Sequence, residues 1–271
     1  MSGNNIMKKE RIGISWYAVR PVLVYLVLFI TIRSILLRLL ESYLLGVSAD
    51  MDLYYANWQD FASALILAVS SAGAVLPVIR EGQREILSLR RYRDSAWICK
   101  RKDSRELIGI LPVGTLCLSV LLNLVLSYGK TPEPVQTVAV PLYAAVYGLL
   151  TPFIEEVVYR GILWHRLRRG FSPLCAALIS ALFFGAAHGE IRQALYAFVM
   201  GFVFSFGYEL TRQFEVPFLL HSACNLMTLA TSAFGFTDYL RSPVWMLFLG
   251  LCASVTALYW GMRLRETNFK L

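Results

Sequence analysis

The chain has 271 residues, of which 57% are hydrophobic and only 16% are charged, with a mean hydropathy of +0.55. Soluble domains carry about 25% charged residues, so this composition excludes an ordinary soluble domain and predicts a membrane protein. The formal net charge of +8 resides in short basic runs beside apolar stretches, which indicates membrane orientation and argues against nucleic-acid binding. The five cysteines show no CxxC spacing, so neither a disulfide framework nor a thiolate metal site is indicated.

Apolar stretches long enough to cross a bilayer follow one another along the whole chain. A span needs about 20 apolar residues, and on that criterion we predict an all-α, polytopic fold of about eight transmembrane helices. Arg20, Arg33 and Arg38 interrupt the first stretch, so its second half, 34–45, could instead lie along the interface. The predicted spans are 17–40, 53–79, 107–128, 139–164, 172–188, 191–211, 215–234 and 242–262.

The distribution of Lys and Arg predicts the orientation of these spans. Residues 80–105 carry nine basic residues, and we therefore expect them to form a cytoplasmic loop. Because each span moves the chain to the other side of the membrane, counting the spans from this loop places both termini in the cytoplasm. No long polar linker divides the chain, so we expect one integrated membrane domain with N-terminal helices in 1–138 and a core that carries the chemistry in 139–271.

Two adjacent carboxylates and a guanidinium fall within the fourth span, where ionisable groups are costly and indicate function by default. Helical residues four apart share a face, whereas neighbours point about 100° apart. We therefore expect Glu156 to pair with Arg160 and to hold geometry. Glu155 points elsewhere, with Tyr159 one turn along on its own face, and is left free to accept a proton as a general base. Pro152 is expected to bend the span and open space for water.

Two of the three histidines fall within apolar spans. His188 shares a helix face with Phe184, which can support its ring. His221 shares a face with Asn225, so two neutral donors can converge where an oxyanion would develop on a peptide carbonyl. The third histidine, His165, lies in a basic loop and is expected to be solvated. If the spans are straight helices, Glu155 and His188 differ by about 9 Å in their depth in the membrane. We therefore expect the helices to tilt and bring the two side chains together.

Other classes of membrane protein explain only part of this pattern. A packing salt bridge accounts for Glu156 and Arg160 alone. A proton-coupled transporter favours paired repeats with broken helices in both halves, whereas the ionisable residues here cluster in the C-terminal half. Two carboxylates and two histidines in three separate spans are poorly explained by packing.

In this order, Glu155-Glu156-x-x-x-Arg160, Phe184-x-x-x-His188 and His221-x-x-x-Asn225 resemble the three signature motifs of the CPBP family. That family comprises the type II CAAX prenyl endopeptidases and their bacterial relatives, including bacteriocin-processing and self-immunity proteins. Each motif alone is weak, but the ordered set is specific. The resemblance covers residues 150–226, and residues 1–138 contribute nothing to it.

The resemblance implies an eight-helix membrane core in which Glu155 and His188 activate a water while His221 and Asn225 stabilise the oxyanion. The supporting side chains would be Glu156, Arg160, Tyr159 and Phe184. We expect no required cofactor. The family has also been described as metal-dependent, which leaves a Zn²⁺ held by Glu155, His188 and His221 as the alternative.

The implied activity is that of an intramembrane endopeptidase acting on a membrane-associated peptide or a lipidated protein. The alternative is a non-catalytic immunity or peptide-binding partner on the same fold. In either case we expect an integral protein of a bacterial plasma membrane, with both termini cytoplasmic, in contact with lipids and not with nucleic acid. The sequence predicts neither the substrate nor the oligomeric state.

Overall fold

The computed structural model of the chain describes residues 2–45, 52–92, 104–127, 139–211 and 213–266. Within these ranges the fold is all-helical, with nine helices and no strand, which confirms the predicted all-α polytopic class. The helices are α1 (Ser2–Leu45), α2 (Asp52–Tyr92), α3 (Ser104–Leu126), α4 (140–167), α5 (Pro173–Ala186), α6 (Ile191–Thr211), α7 (Glu215–Ala233), α8 (Thr237–Leu240) and α9 (Pro243–Glu266).

Three stretches of the described chain are long and apolar enough to cross a membrane: Trp16–Tyr43, Gln59–Ile86 and Ile191–Thr211. Shorter apolar helices cover Ile110–Leu126, Pro173–Ala186 and Pro243–Tyr259. Helices α4 and α7 belong to neither group, although each coincides with a predicted span. These two helices carry the carboxylates, His221 and Asn225, and such side chains lower the hydropathy of a helix that is otherwise apolar.

Two predicted boundaries in the N-terminal part are wrong. Helix α1 continues without interruption to Leu45, so residues 34–45 are not a separate interfacial segment. Helix α2 continues to Tyr92, so the predicted loop 80–105 is helical over residues 80–92. Hydropathy marks where an apolar stretch ends, but a helix rich in Arg, Glu, Gln and Leu continues beyond that point because these residues favour helix. Residues 93–103 of the predicted loop lie outside the described residues.

Helix α4 alternates between α-helical and π-helical turns. The π-helical stretches are Val146–Leu150 and Val157–Trp164, and the α-helical turn Thr151–Glu156 lies between them. Pro152 is in that central turn and has a π-helical stretch on each side of it. π-helical turns are rare and occur frequently at functional sites. The second stretch is buried along its whole length, which makes α4 the centre of the core.

Charged side chains tie α4 to the two N-terminal helices. The Arg166 guanidinium is 2% exposed and donates to Glu85 at 2.9 Å, to Glu81 at 2.7 Å and to the Tyr17 carbonyl oxygen at 2.9 Å. The His165 Nε2 lies 3.3 Å from the same Glu85 carboxylate, so the expectation that His165 is solvated is wrong. These residues, Tyr17, Glu81, Glu85, His165 and Arg166, are called the Arg166 cluster below.

Helices α5 and α6 approach each other closely on the other side of α4. At Gly185 an added Cβ would lie 2.8 Å from the Ala194 carbonyl oxygen and 3.0 Å from the Phe198 Cβ. Only glycine allows these two backbones to come so near. The close contact fixes the short turn 187–190 between the two helices, and His188 lies in that turn.

Candidate active site

The predicted pair on α4 is present and fully buried. Arg160 donates from one guanidinium nitrogen to Oε1 of Glu156 at 2.8 Å, and neither side chain is exposed to solvent. Its other terminal nitrogen donates to the Gly201 carbonyl oxygen on α6 at 2.8 Å. The guanidinium carbon also lies 4.8 Å from the centroid of the Phe184 ring and 5.5 Å from that of Phe204. Arg160 is therefore held by charge, by a backbone carbonyl and by two aromatic rings.

His221 on α7 lies between the two neighbouring carboxylates of α4. Its Nδ1 is 2.9 Å from Oε1 of Glu156, and its Nε2 is 3.6 Å from Oε2 of Glu155. The same Glu156 oxygen thus accepts from both Arg160 and His221. Helical periodicity predicted Arg160 as the only partner of Glu156. The contact with His221 joins residues 65 apart in the chain, and no local sequence signal indicates it.

These partners fix which nitrogen of His221 carries a proton. The Glu156 carboxylate is ion-paired with Arg160 and only accepts hydrogen bonds, so the proton of the shared contact belongs to Nδ1. A neutral imidazole then presents a lone pair at Nε2, and Nε2 donates only when the ring is an imidazolium. The sequence-based expectation of a neutral donor at His221 therefore conflicts with this geometry. Any donation from Nε2 requires the charged ring.

His188 is held in the same tautomer as His221. Its Nδ1 lies 2.9 Å from the Phe184 carbonyl oxygen, which accepts, so Nδ1 carries the proton and the neutral ring presents a lone pair at Nε2. The Phe184 ring packs edge-on against His188, with centroids 5.2 Å apart, and against His221 at 5.5 Å. It also packs against Tyr159 at 5.0 Å. Phe184 is therefore the aromatic wall that both histidine rings share.

The amide of Asn225 is fixed by the first π-helical stretch of α4. Its Nδ2 donates to the Tyr147 carbonyl oxygen at 2.8 Å. Because an amide NH₂ has two N–H groups, one donor of Asn225 is engaged by the backbone and the second remains for a ligand. The π-helical turn at Tyr147 thus sets the orientation of Asn225.

All four predicted catalytic side chains line one cavity of about 170 Å³. Water occupies about 30 Å³ per molecule in the liquid, so the cavity has room for several waters or for part of a peptide. Glu156 and Arg160 lie behind the wall and do not line it. The predicted site residues that line it are Glu155, Tyr159, Phe184, His188, His221 and Asn225. Glu155 and His188 line the same cavity, so the predicted difference in depth does not keep them apart.

Helix α1 also contributes to the cavity, and the site prediction missed this. Tyr25, Phe29 and Arg33 line it, together with Tyr147 from α4. In the sequence Arg33 interrupts an apolar stretch, which indicates the limits of a span and does not by itself indicate a site. The aromatic residues of α1 carry no signal that separates them from the lipid-facing residues of the same helix.

Glycine at position 201 allows Arg160 and Phe184 to occupy their places. A Cβ there would lie 2.8 Å from Cδ1 of Phe184 and 3.3 Å from a terminal nitrogen of Arg160. The close approach also exposes the Gly201 carbonyl to the guanidinium. This contact between α6 and α4 fixes the aromatic wall behind both histidines.

The described residues contain no group of three or more His, Cys, Asp or Glu side chains positioned to hold a metal ion. Glu155, His188 and His221, the ligands of the Zn²⁺ alternative, line one cavity without forming such a group. The reaction proposed below is written for the side chains alone, and chelation tests the Zn²⁺ alternative.

Comparison with known proteins finds a family match for one segment of the chain. Residues 137–227 match the family described as type II CAAX prenyl endopeptidase Rce1-like, and the three motifs lie within that segment. This match confirms the resemblance predicted from the motifs. It leaves α1, α2, α3, α8 and α9 outside the matched segment.

Two curated bacterial proteins are similar over a comparable length. The "Putative membrane peptidase YdiL" of Bacillus subtilis is 32% identical over 106 residues, which is 37% of this chain and 43% of that protein. The "Membrane-embedded CAAX protease MroQ" of Staphylococcus aureus is 27% identical over 92 residues, or 32% of this chain and 37% of that protein. The similarity thus spans less than half the length of either relative. No solved structure matches the chain.

Proposed function

We propose that this integral membrane protein, which carries an Rce1-like segment in residues 137–227, is an intramembrane endopeptidase. It would hydrolyse a peptide bond in a membrane-associated peptide or a lipidated protein, in keeping with the names of its two relatives as membrane peptidase and CAAX protease. The observation that carries this proposal is the convergence of Glu155, His188, His221 and Asn225 on one cavity among membrane helices. Packing alone gives no reason for such convergence.

In the proposed reaction Glu155 is the general base. A water held between the Glu155 carboxylate and the lone pair of His188 Nε2 attacks the scissile carbonyl carbon, and its proton passes to Glu155. The carbonyl oxygen becomes an oxyanion. When the tetrahedral intermediate collapses, the carbon–nitrogen bond breaks and Glu155 returns the proton to the leaving amine. The products are a carboxylic acid and an amine, which ionise in water to a carboxylate and an ammonium group.

The oxyanion is stabilised by two side chains of α7, His221 and Asn225. His221 as an imidazolium donates from Nε2, and the charge on its ring is supported by Glu156 at Nδ1. Asn225 donates through the N–H that the Tyr147 carbonyl does not engage. Glu156 and Arg160 are positioning residues, since they contact His221 and the helix backbone and do not line the cavity.

The proposal is tested with the purified full chain in lipid nanodiscs. The probe is an internally quenched peptide with a farnesylated cysteine followed by three apolar residues, and products are identified by mass spectrometry. We expect cleavage at one defined bond by the parent protein and none by Glu155→Gln. Cleavage that Glu155→Gln retains would refute the assigned base.

The alternative, a non-catalytic immunity or peptide-binding partner on the same fold, predicts a different pattern. Such a protein would bind the peptide without cleaving it, and Glu155→Gln would leave its cellular phenotype unchanged. We place the protein in a bacterial plasma membrane with both termini cytoplasmic, an orientation that follows from the excess of Arg at residues 80–93. Cysteine accessibility from each side of intact cells, measured at positions 2 and 270, tests that orientation.

A further inference from the structure

Among the residues that the structure describes, Arg33 is the one Lys or Arg side chain that lines the cavity. It lies on α1, outside the Rce1-like segment. Its guanidinium carbon is 5.9 Å from the centroid of the Phe29 ring, and it forms no hydrogen bond or ion pair with any residue that the structure describes. A guanidinium within a membrane span is costly unless it meets an anion, so its place in the cavity wall calls for an anionic ligand.

We propose that Arg33 binds the C-terminal carboxylate of the peptide substrate and thereby sets which peptides are cleaved. This inference rests on the proposed endopeptidase function and names a specificity-determining residue for it. Guanidinium and carboxylate form charge-assisted, often bidentate hydrogen bonds. The partner would be the part of the substrate that leaves after cleavage.

The geometry of α1 indicates how far that carboxylate lies from the scissile bond. Tyr25, Phe29 and Arg33 line the cavity on successive turns of one helix face. Glu155 and Tyr147 line the same cavity as Tyr25 and Arg33. Eight residues of helix correspond to a rise of about 12 Å, which an extended peptide covers with three or four residues. A carboxylate three or four residues beyond the scissile bond would therefore reach Arg33.

A phospholipid headgroup is the other source of an anion for an arginine in a membrane helix. Arg33 lies ten residues from Tyr43, the nearer end of the apolar stretch Trp16–Tyr43, and this is about 15 Å along the helix. That depth is unfavourable for a side chain that must reach the interface. The guanidinium instead shares a cavity wall with Glu155, which favours the substrate as the partner.

The test measures binding and hydrolysis separately, with the full chain in nanodiscs. The probes are three fluorescent farnesyl-cysteine peptides: one with three further residues and a C-terminal carboxylate, its C-terminal amide, and a carboxylate peptide extended by three residues. Binding is followed by fluorescence anisotropy in phosphatidylcholine, with and without phosphatidylglycerol. The variants are Arg33→Gln, Arg33→Lys and, as a matched control, Arg38→Gln. Arg38 is exposed on the same helix, as Arg33 is, but it does not line the cavity.

We expect the parent protein to bind the short carboxylate peptide about tenfold or more tighter than its amide, the ratio that one charge-assisted contact supplies. Arg33→Gln should abolish this ratio, Arg33→Lys should keep part of it, and Arg38→Gln should leave it unchanged. In hydrolysis the loss in Arg33→Gln should be in KM and not in kcat. The parent protein should bind the extended carboxylate peptide little or no tighter than the amide.

Each result that would contradict the proposal can be told apart from the others. Equal affinity of the parent protein for carboxylate and amide would overturn the proposal, as would a ratio that survives Arg33→Gln. An Arg33→Gln variant that weakens both peptides equally, and only in anionic membranes, would assign Arg33 to a lipid headgroup. Preference for the carboxylate without hydrolysis of any probe would support Arg33 as the anion site and contradict the endopeptidase function.

Discussion

One oxygen atom, Oε1 of Glu156, accepts hydrogen bonds from both Nδ1 of His221, at 2.9 Å, and a terminal nitrogen of Arg160, at 2.8 Å. The carboxylate therefore joins three helices, because Arg160 also reaches the Gly201 carbonyl on α6. It connects the buried frame of the site to a ring in the cavity wall. Its neighbour Glu155 lines the cavity itself, so two adjacent residues of the same type have separable roles.

Glu156→Gln should destabilise the protein and abolish peptide cleavage. It leaves the buried Arg160 without a counter-charge, and breaking a buried ion pair from one side costs about 3–5 kcal/mol. Thermal unfolding of the detergent-solubilised protein measures this loss. Glu41→Gln, which changes an exposed acid on α1, serves as the control and should leave the melting temperature unchanged. A Glu156→Gln protein as stable as the parent would show that the ion pair does not hold the frame.

Glu155→Gln should lose cleavage by about 100-fold or more, because it removes a general base, while its stability stays near that of the parent. The Glu155 side chain is 17% exposed and lies 3.6 Å from His221, so its replacement breaks no short hydrogen bond. The two measurements are the cleavage rate and the melting temperature. A large drop in melting temperature would make Glu155 a structural residue and remove the evidence for a base.

Gly201→Ala should lower both stability and cleavage, since the new methyl group would meet Phe184 and Arg160 at 2.8 and 3.3 Å. Overpacking of this kind costs about 1–3 kcal/mol, and it displaces the wall behind both histidines. Gly207→Ala on the same helix is the matched control. The nearest atom to its new Cβ is 3.5 Å away, so it should be tolerated. Equal effects of the two substitutions would argue against the proposed wall.

Chelators should not inhibit the purified protein. Incubation with EDTA or 1,10-phenanthroline followed by the cleavage assay measures this directly, and metal analysis of the same sample by mass spectrometry gives an independent readout. Inhibition that added Zn²⁺ reverses, together with about one bound zinc per chain, would instead favour Glu155, His188 and His221 as a metal site.

The contacts that sequence analysis anticipated are those within one helix. Glu156 with Arg160 and Phe184 with His188 are four residues apart, and helical periodicity places such pairs on one face. The contact of His221 with Glu156 joins two helices 65 residues apart. A single sequence contains no measure of how two helices rotate about their axes, so this contact was not predictable, and neither was the tautomer that it imposes.

Some helix ends were predictable from the sequence, and others were not. Span six was predicted as 191–211 and is Ile191–Thr211, because the apolar stretch within it has the length that a membrane span needs. The end of α2 was misplaced because residues 80–92 are polar yet helical. Their helix is held by a contact with Arg166 on α4, more than 80 residues away. The π-helical turns of α4 have no recognised sequence pattern and became visible only in the structure.

The Arg166 cluster makes the Rce1-like segment dependent on chain outside it. Residues 137–227 contain the guanidinium, whereas both acids that neutralise it, Glu81 and Glu85, belong to α2. A fragment limited to the matched segment would bury Arg166 without the two carboxylates that neutralise it, so we expect that fragment not to fold. Chimeras with a relative's first two helices should succeed only where those helices bring two acids one turn apart to the same place.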